Sequence, residues 1–146
     1  MKKIMFILAL AVSSLSFAQT KPDALEKVRK VIEESNAIYA ELANRNDGSI
    51  LTRYTEDACL LPPNASPVCG HEKIAAFFSN GPKVRVRFTI QALHGDAIEY
   101  VTEESHYEMT DLAGTKLDEG KIMVVWKKTK DGWKMHRDMF SSNLPR

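Results

Sequence analysis

Tyr54–Phe78 reads YTEDACLLPPNASPVCGHEKIAAFF. Ala58–Leu61 is a short apolar run suited to a strand, and Pro62-Pro63-Asn64 stops it because proline lacks the donor a ladder needs. Val68-Cys69 can return alongside, and Gly70 opens a helix over His71–Ser79 that Gly81-Pro82 ends. A helix end, a strand, a turn, both cysteines and a helix start follow one another here. That grammar predicts the rim of a small-molecule pocket.

Upstream, Asp23 and Glu26 have capping-box spacing. Leu25, Val28, Ile32, Tyr39 and Leu42, widened by Val31 and Ile38, form one stripe and predict an amphipathic helix over 23–44. Asn46-Asp47-Gly48 signals a turn, and Ile50, Leu51 and Tyr54 predict a second helix over 48–55. Downstream the period changes to two: Val84, Val86, Phe88 and Ile90 alternate with Arg85, Arg87, Thr89 and Gln91. Further strands are predicted at 97–103, 105–110, 121–128 and 133–140, the last two joined by a hairpin turn at Lys130-Asp131-Gly132. Helices first and an antiparallel meander after them make an α+β domain, three N-terminal helices on one face of a curved sheet. Ile122–Trp126 is apolar on both faces. A loop or the termini could cover the second face; a second subunit is the reading preferred, which predicts a homodimer.

Residues 1–18 read as a cleaved signal peptide: Lys2-Lys3, an apolar Ile4–Val12, and Ser16-Phe17-Ala18 at the cleavage site. The domain is then 19–146, exported to a bacterial periplasm or secreted, with no membrane association after cleavage. Of the 20 basic residues Lys2 and Lys3 belong to the leader, which against 19 acidic residues leaves the mature chain at −1. Such a near-neutral chain argues against a nucleic-acid partner. Cys59 and Cys69 flank the proline turn, and in an oxidising compartment they are predicted to form a disulfide. The histidines have no HxH or HxxxH spacing, so no metal site is expected, and there is no phosphate loop.

The order helix, YTEDA, apolar strand, proline turn, Gly-His-Glu-x-Ile helix, and strands ending in WKKxxDGWKxHRDxFxSNLP resembles the SnoaL-like branch of the nuclear transport factor 2-like superfamily. Within it, the chain looks most like ketosteroid-isomerase-like domains of unknown function. The resemblance covers nearly the whole mature chain. It implies a cone, a bent antiparallel sheet wrapped around helices with an apolar cavity open at one end, and often a dimer through the outer sheet face. It also implies isomerase, cyclase, dehydratase, hydrolase or purely binding roles, so it fixes a pocket and not a reaction. Aligning Tyr54–Ala58 with the isomerase segment places Pro62 where that enzyme's aspartate base stands, and Ile38, beside Tyr39, where its helix tyrosine stands.

Candidate residues lie mostly on the strands. His106 and Glu108 share one face of their strand and could act as acid and base, or form a polar outer face; Tyr107 points the other way. With a two-residue turn at Asp131-Gly132, Trp126 would oppose Arg137, and both would share a face with Val124, Met135 and Met139. Arg137 could then hold an anionic ligand group, or pair with Asp57, Glu56 or a helix terminus. Val125, His136, Asp138 and Phe140 would share the other face, making Asp138 a further acid–base candidate. Asn143, just past the strand, could donate to a ligand or tie down the tail. Tyr54, Tyr107, Trp126, Arg137 and Asn143 are the ligand-contact candidates. Asp57 reads as a cap and His94 as solvated; Glu72 favours the positive end of its helix with His71 solvated beside it, or the two form a proton shuttle at the pocket mouth.

Three functions fit, in this order: an exported module that binds a small apolar or amphipathic molecule without a cofactor; a cofactor-independent isomerase, cyclase or hydrolase using some of His106, Glu108, Arg137 and Asp138; a dimerising interaction domain. A buried carboxylate or histidine in the cavity with a hydrogen-bonded partner would favour the enzyme.

Overall fold

The computed structural model describes residues 21–145; the predicted signal peptide lies outside the described residues. Helix α1 spans Lys21–Arg45, followed by a single 3-10 turn at Ser49–Arg53. Strand β1 (Tyr54–Leu61), the two-residue β2 (Val68–Cys69) and helix α2 (His71–Ser79) come next. Strands β3 (Arg85–Gly95), β4 (Tyr100–Thr110), β5 (Lys116–Thr129) and β6 (Gly132–Ser142) complete one six-stranded sheet, ordered β2-β1-β6-β5-β4-β3. Among the described residues no helix is long and apolar enough to cross a membrane.

Four sequence expectations are corrected. The sheet is mixed, because β1 pairs with β6 in parallel; everything between Leu61 and Gly132 is the crossover that parallel neighbours require. The second helix shrinks to a 3-10 turn, and Tyr54 belongs to β1, where aromatic and β-branched Tyr54-Thr55 sit buried beside Met135. The β5–β6 turn is Lys130-Asp131, closed by Thr129 opposite Gly132. Thr129 Oγ1 donates to the Gly132 carbonyl (2.9 Å) and accepts from the Asp131 amide (3.1 Å), which pins that register.

The fourth correction matters most. Trp126 opposes Met135, and Val125 opposes Arg137, so His136 is an extra residue on β6. This bulge breaks the alternation. Trp133 and Met135 point inward before it, Asp138 after it, and Arg137 and Met139 do not share the buried face of Trp126.

The interior has two unlike halves. Val28 and Ile32 of α1 pack on Ile50, Ala58, Ile74, Val101, Trp126, Trp133 and Met135 to form a solid core. Further along the same elements, Tyr39, Ala43, Phe78, Phe88, Tyr107, Ile122 and Phe140 enclose a cavity instead. One register row runs between the halves: Leu60, Asp138, Val124, Glu103 and Leu93 stand abreast across β1, β6, β5, β4 and β3. Gly120 lies beneath the Tyr107 ring in the hollow half. A Cβ there would come within 2.0 Å of the Ser141 carbonyl and 2.9 Å of Tyr107 Cε1, so the strands can approach only with glycine at this position.

Candidate active site

The cavity has a volume of about 860 Å³, and its walls are largely aromatic and aliphatic. The lining comes from the second half of α1, from α2, from the proline turn at Ser66-Pro67, and from the inner faces of β3–β6. The predicted rim stretch therefore contributes Leu60, Ser66, Pro67, Val68, Lys73 and Phe78. Lys73, on the exposed side of α2, is the one cation among the described residues that border the cavity.

At the boundary row, Asp138 borders the cavity with only 1% of its surface exposed. Tyr54 Oη donates to Asp138 Oδ2 at 2.6 Å. The Tyr39 hydroxyl lies 3.3 Å from that of Tyr54, and since Tyr54 donates onward, Tyr39 is the donor of this pair. Asp138 Oδ1 is buried and has no hydrogen-bond partner among the described residues. The environment raises the carboxyl to about 6: burial is the largest cause, the Tyr54 bond opposes it, and the negative charge of Glu103 adds to it. The Tyr54 phenol is held well above its usual value by burial and then by the Asp138 charge, so it remains a donor at any working pH.

Two further polar groups sit near. Tyr107 donates to Asp118 Oδ2 (2.8 Å), and Ser142 Oγ to Asp118 Oδ1 (2.6 Å), which anchors the Tyr107 ring against the cavity. Burial and Asp118 raise the Tyr107 phenol. Glu103, on the row with Asp138, accepts from Asn36 Nδ2 (2.9 Å), Ser105 Oγ (2.5 Å) and Trp126 Nε1 (2.8 Å).

The structure brings Tyr54, Tyr107 and Asp138 of the sequence candidates to this region. Trp126 is fully buried in the solid core, where it serves Glu103. Arg137 faces away from the cavity and donates to the carbonyls of His136 (2.6 Å) and Asp57 (3.2 Å), closer to the pairing alternative than to an anion site. His136 Nδ1 lies beside it, 3.4 Å from Asp57 Oδ1 and 3.0 Å from Thr55 Oγ1. Asn143 is exposed, and its backbone amide donates to Glu119 O.

His106 and Glu108 lie on the convex face, away from the cavity. With Glu119 they offer ligand atoms within 4.8 Å of one another. Glu108 is already bridged by Arg87, and Glu119 by Lys116 (2.8 Å), so cations of the chain itself neutralise both carboxylates. Cys59 and Cys69 face each other in the β1–β2 register and are joined by a disulfide that staples the rim.

Sequence reasoning passed over two residues of the site. Glu103 shares the parity of Val101 and Tyr107 on β4, a signal that it points inward. Tyr39 lies on the apolar stripe of α1, which signals burial but not its bond to Tyr54.

No protein-family model matches the chain, and no curated protein is significantly similar to it. Solved structures are. A protein of unknown function with a cystatin-like fold from Nostoc punctiforme superposes with a TM-score of 0.69 at 14% identity, over 84% of this chain and 96% of its own. A nuclear transport factor 2-like superfamily protein from Salmonella enterica gives 0.63 at 17% identity, over 83% and 94%. A ketosteroid isomerase-like protein from Erwinia carotovora gives 0.61 at 21% identity, over 79% and 96%. The chain thus has the nuclear transport factor 2-like fold.

Proposed function

We propose that the cone binds a small apolar or amphipathic molecule and that Asp138 moves a proton on it. The observation that carries this reading is one buried carboxyl at the cavity wall, with Oδ2 bonded to Tyr54 and Oδ1 unpartnered. A buried polar atom without a partner is costly to keep and rare in folded proteins, and a ligand group is the partner the cavity can supply. A carboxyl poised near neutrality serves general acid–base chemistry best, because both protonation states are populated. The bond from Tyr54 fixes the carboxyl's orientation, while the apolar walls exclude water and orient the rest of the ligand.

The ketosteroid isomerase resemblance puts a base at Pro62, where this chain has none. Asp138 stands on β6 beside Leu60 of β1, so the acid comes from the neighbouring strand. The test is native mass spectrometry of wild type and Asp138→Asn purified from the native host. The variant should retain an unconverted small molecule that wild type releases or carries in altered form. A cavity that co-purifies with nothing in either protein, and takes up no apolar probe such as a naphthol, would sink the reading.

We propose in addition that the chain is exported and forms a homodimer through the convex face. The disulfide supports an oxidising compartment. Met123 and Met139, exposed cross-strand partners on that face, support an apolar contact. Mass analysis of the secreted fraction, and light scattering on purified protein, check the two proposals.

A further inference from the structure

We infer that Glu103 is the electrostatic partner of Asp138, a fixed negative charge that strengthens the cavity carboxyl's hold on its proton. The inference rests on Asp138 being the proton-bearing group of the cavity. It concerns a residue that touches neither the cavity nor a ligand, so Glu103 is a positioning residue.

Glu103 and Asp138 are the two buried carboxyl residues among the buried polar groups, each with 1% of its surface exposed. They stand in one row, Glu103 opposite Val124 and Val124 opposite Asp138, with only that valine between them. Two strand spacings put their backbones roughly 10 Å apart. Their hydrogen bonding differs in kind. Asn36, Ser105 and Trp126 all donate to Glu103, and the indole can do nothing else, so its surroundings suit a carboxylate. Asp138 has one donor and one open oxygen. The pair therefore divides the work. Glu103 keeps the charge, and Asp138, facing that charge across apolar material, takes up the proton.

The other titratable groups near Asp138 do not cancel this effect. From β1 comes Tyr54 and from α1 Tyr39, both neutral donors. From β4 comes Tyr107, tied to Asp118. From α2 come His71, which lies against the Tyr54 carbonyl, and Lys73, which is exposed at the cavity wall. On β6 itself His136 and Arg137 lie on the other face with Asp57. Among the described residues no cation pairs with Glu103 or Asp138.

The experiment titrates the Asp138 carboxyl in ligand-free protein, by carbon NMR of the labelled aspartates, with Asp138→Asn identifying the signal. Because no ligand is involved, failure here is separate from failure of the proposed function. Glu103→Gln should lower the Asp138 midpoint by about one pH unit, the interaction of unit charges roughly 10 Å apart at an effective dielectric of about 20. The swap Asn36→Asp with Glu103→Gln returns a carboxylate to the same hydrogen bond and should restore the midpoint. If Glu103→Gln does not fold, Glu103→Met with Asn36→Leu, Ser105→Ala and Trp126→Phe removes the charge together with its three donors, and should show the same downward shift. A midpoint that stays at the wild-type value in folded protein lacking the Glu103 charge overturns the inference and leaves Glu103 a structural residue.

Discussion

Asp138→Asn should make the protein more stable at neutral pH while abolishing proton transfer. An unfolded chain holds this carboxyl near 3.8, and the folded protein raises it to about 6. Between those values the folded state holds a proton that the unfolded state has released. Stability from this group is therefore complete below 3.8, falls as pH rises through the window, and levels off above 6. A shift of about two units corresponds to about 3 kcal/mol of stability missing at pH 8 relative to acid. Asparagine does not titrate, so the variant lacks that slope. Its own amide left unpaired at the Oδ1 position costs about 1–2 kcal/mol at every pH, and a net gain of about 1–2 kcal/mol remains at pH 8. Urea denaturation of both proteins at pH 4, 5, 6, 7 and 8 measures the difference. His136, held below its usual value mainly by burial, gives an opposite slope in part of this window, but it is present in both proteins and cancels. Carboxylates held low, such as Asp57 and Asp96, lose their stabilisation only below the window. A difference between the proteins that does not change from pH 4 to pH 8 would refute the reasoning, because Asp138 would then carry no extra proton on folding.

Three further outcomes follow from the same geometry. Tyr54→Phe removes the one hydrogen bond that holds the Asp138 proton affinity down, so the Asp138 midpoint should rise further and unfolding should cost about 1–3 kcal/mol less; NMR titration and urea curves read the two effects. Replacing Cys59 and Cys69 by serine frees a ten-residue separation and should cost about 2–3 kcal/mol; two thiols titrating in unreduced native protein would contradict the bond. Gly120→Ala drives a methyl into the Ser141 carbonyl and the Tyr107 ring, so thermal unfolding should show a loss of roughly 2 kcal/mol or more; an unchanged Tm would mean that the strands part freely there.

Much of the architecture was legible because local signals agree with the fold. The α1 stripe, the proline stop after Leu61, the glycine start of α2 and the period-two run from Val84 each report a contact that the structure makes. The parallel β1–β6 pair was not legible, since no local pattern records which distant strand becomes a neighbour. The face of Asp138 was hidden for a different reason. Simple alternation from Met135 places Asp138 and Phe140 on the outside, and only the extra residue at His136 turns them in. The pattern Trp133, Met135, Asp138, Phe140 contains that skip, but a skip in polarity reads equally well as an outward strand end. Glu103 was missed because an acidic residue among polar neighbours, TEES, looks solvated. Its three donors come from α1, β4 and β5, elements that meet only in the folded chain.

The two-residue β2 has a consequence of its own. It is the outermost strand of the sheet, and it covers β1 only at Cys59 and Leu60. Without the disulfide that holds it there, β1 would present a run of free amides and carbonyls, a template for pairing with another chain. The staple thus guards against edge-to-edge aggregation as much as against unfolding. Protein made in a reducing cytosol should accumulate as β-rich aggregates even where its folded fraction remains high, and the compartment in which the bond forms would decide how much soluble protein the cell obtains.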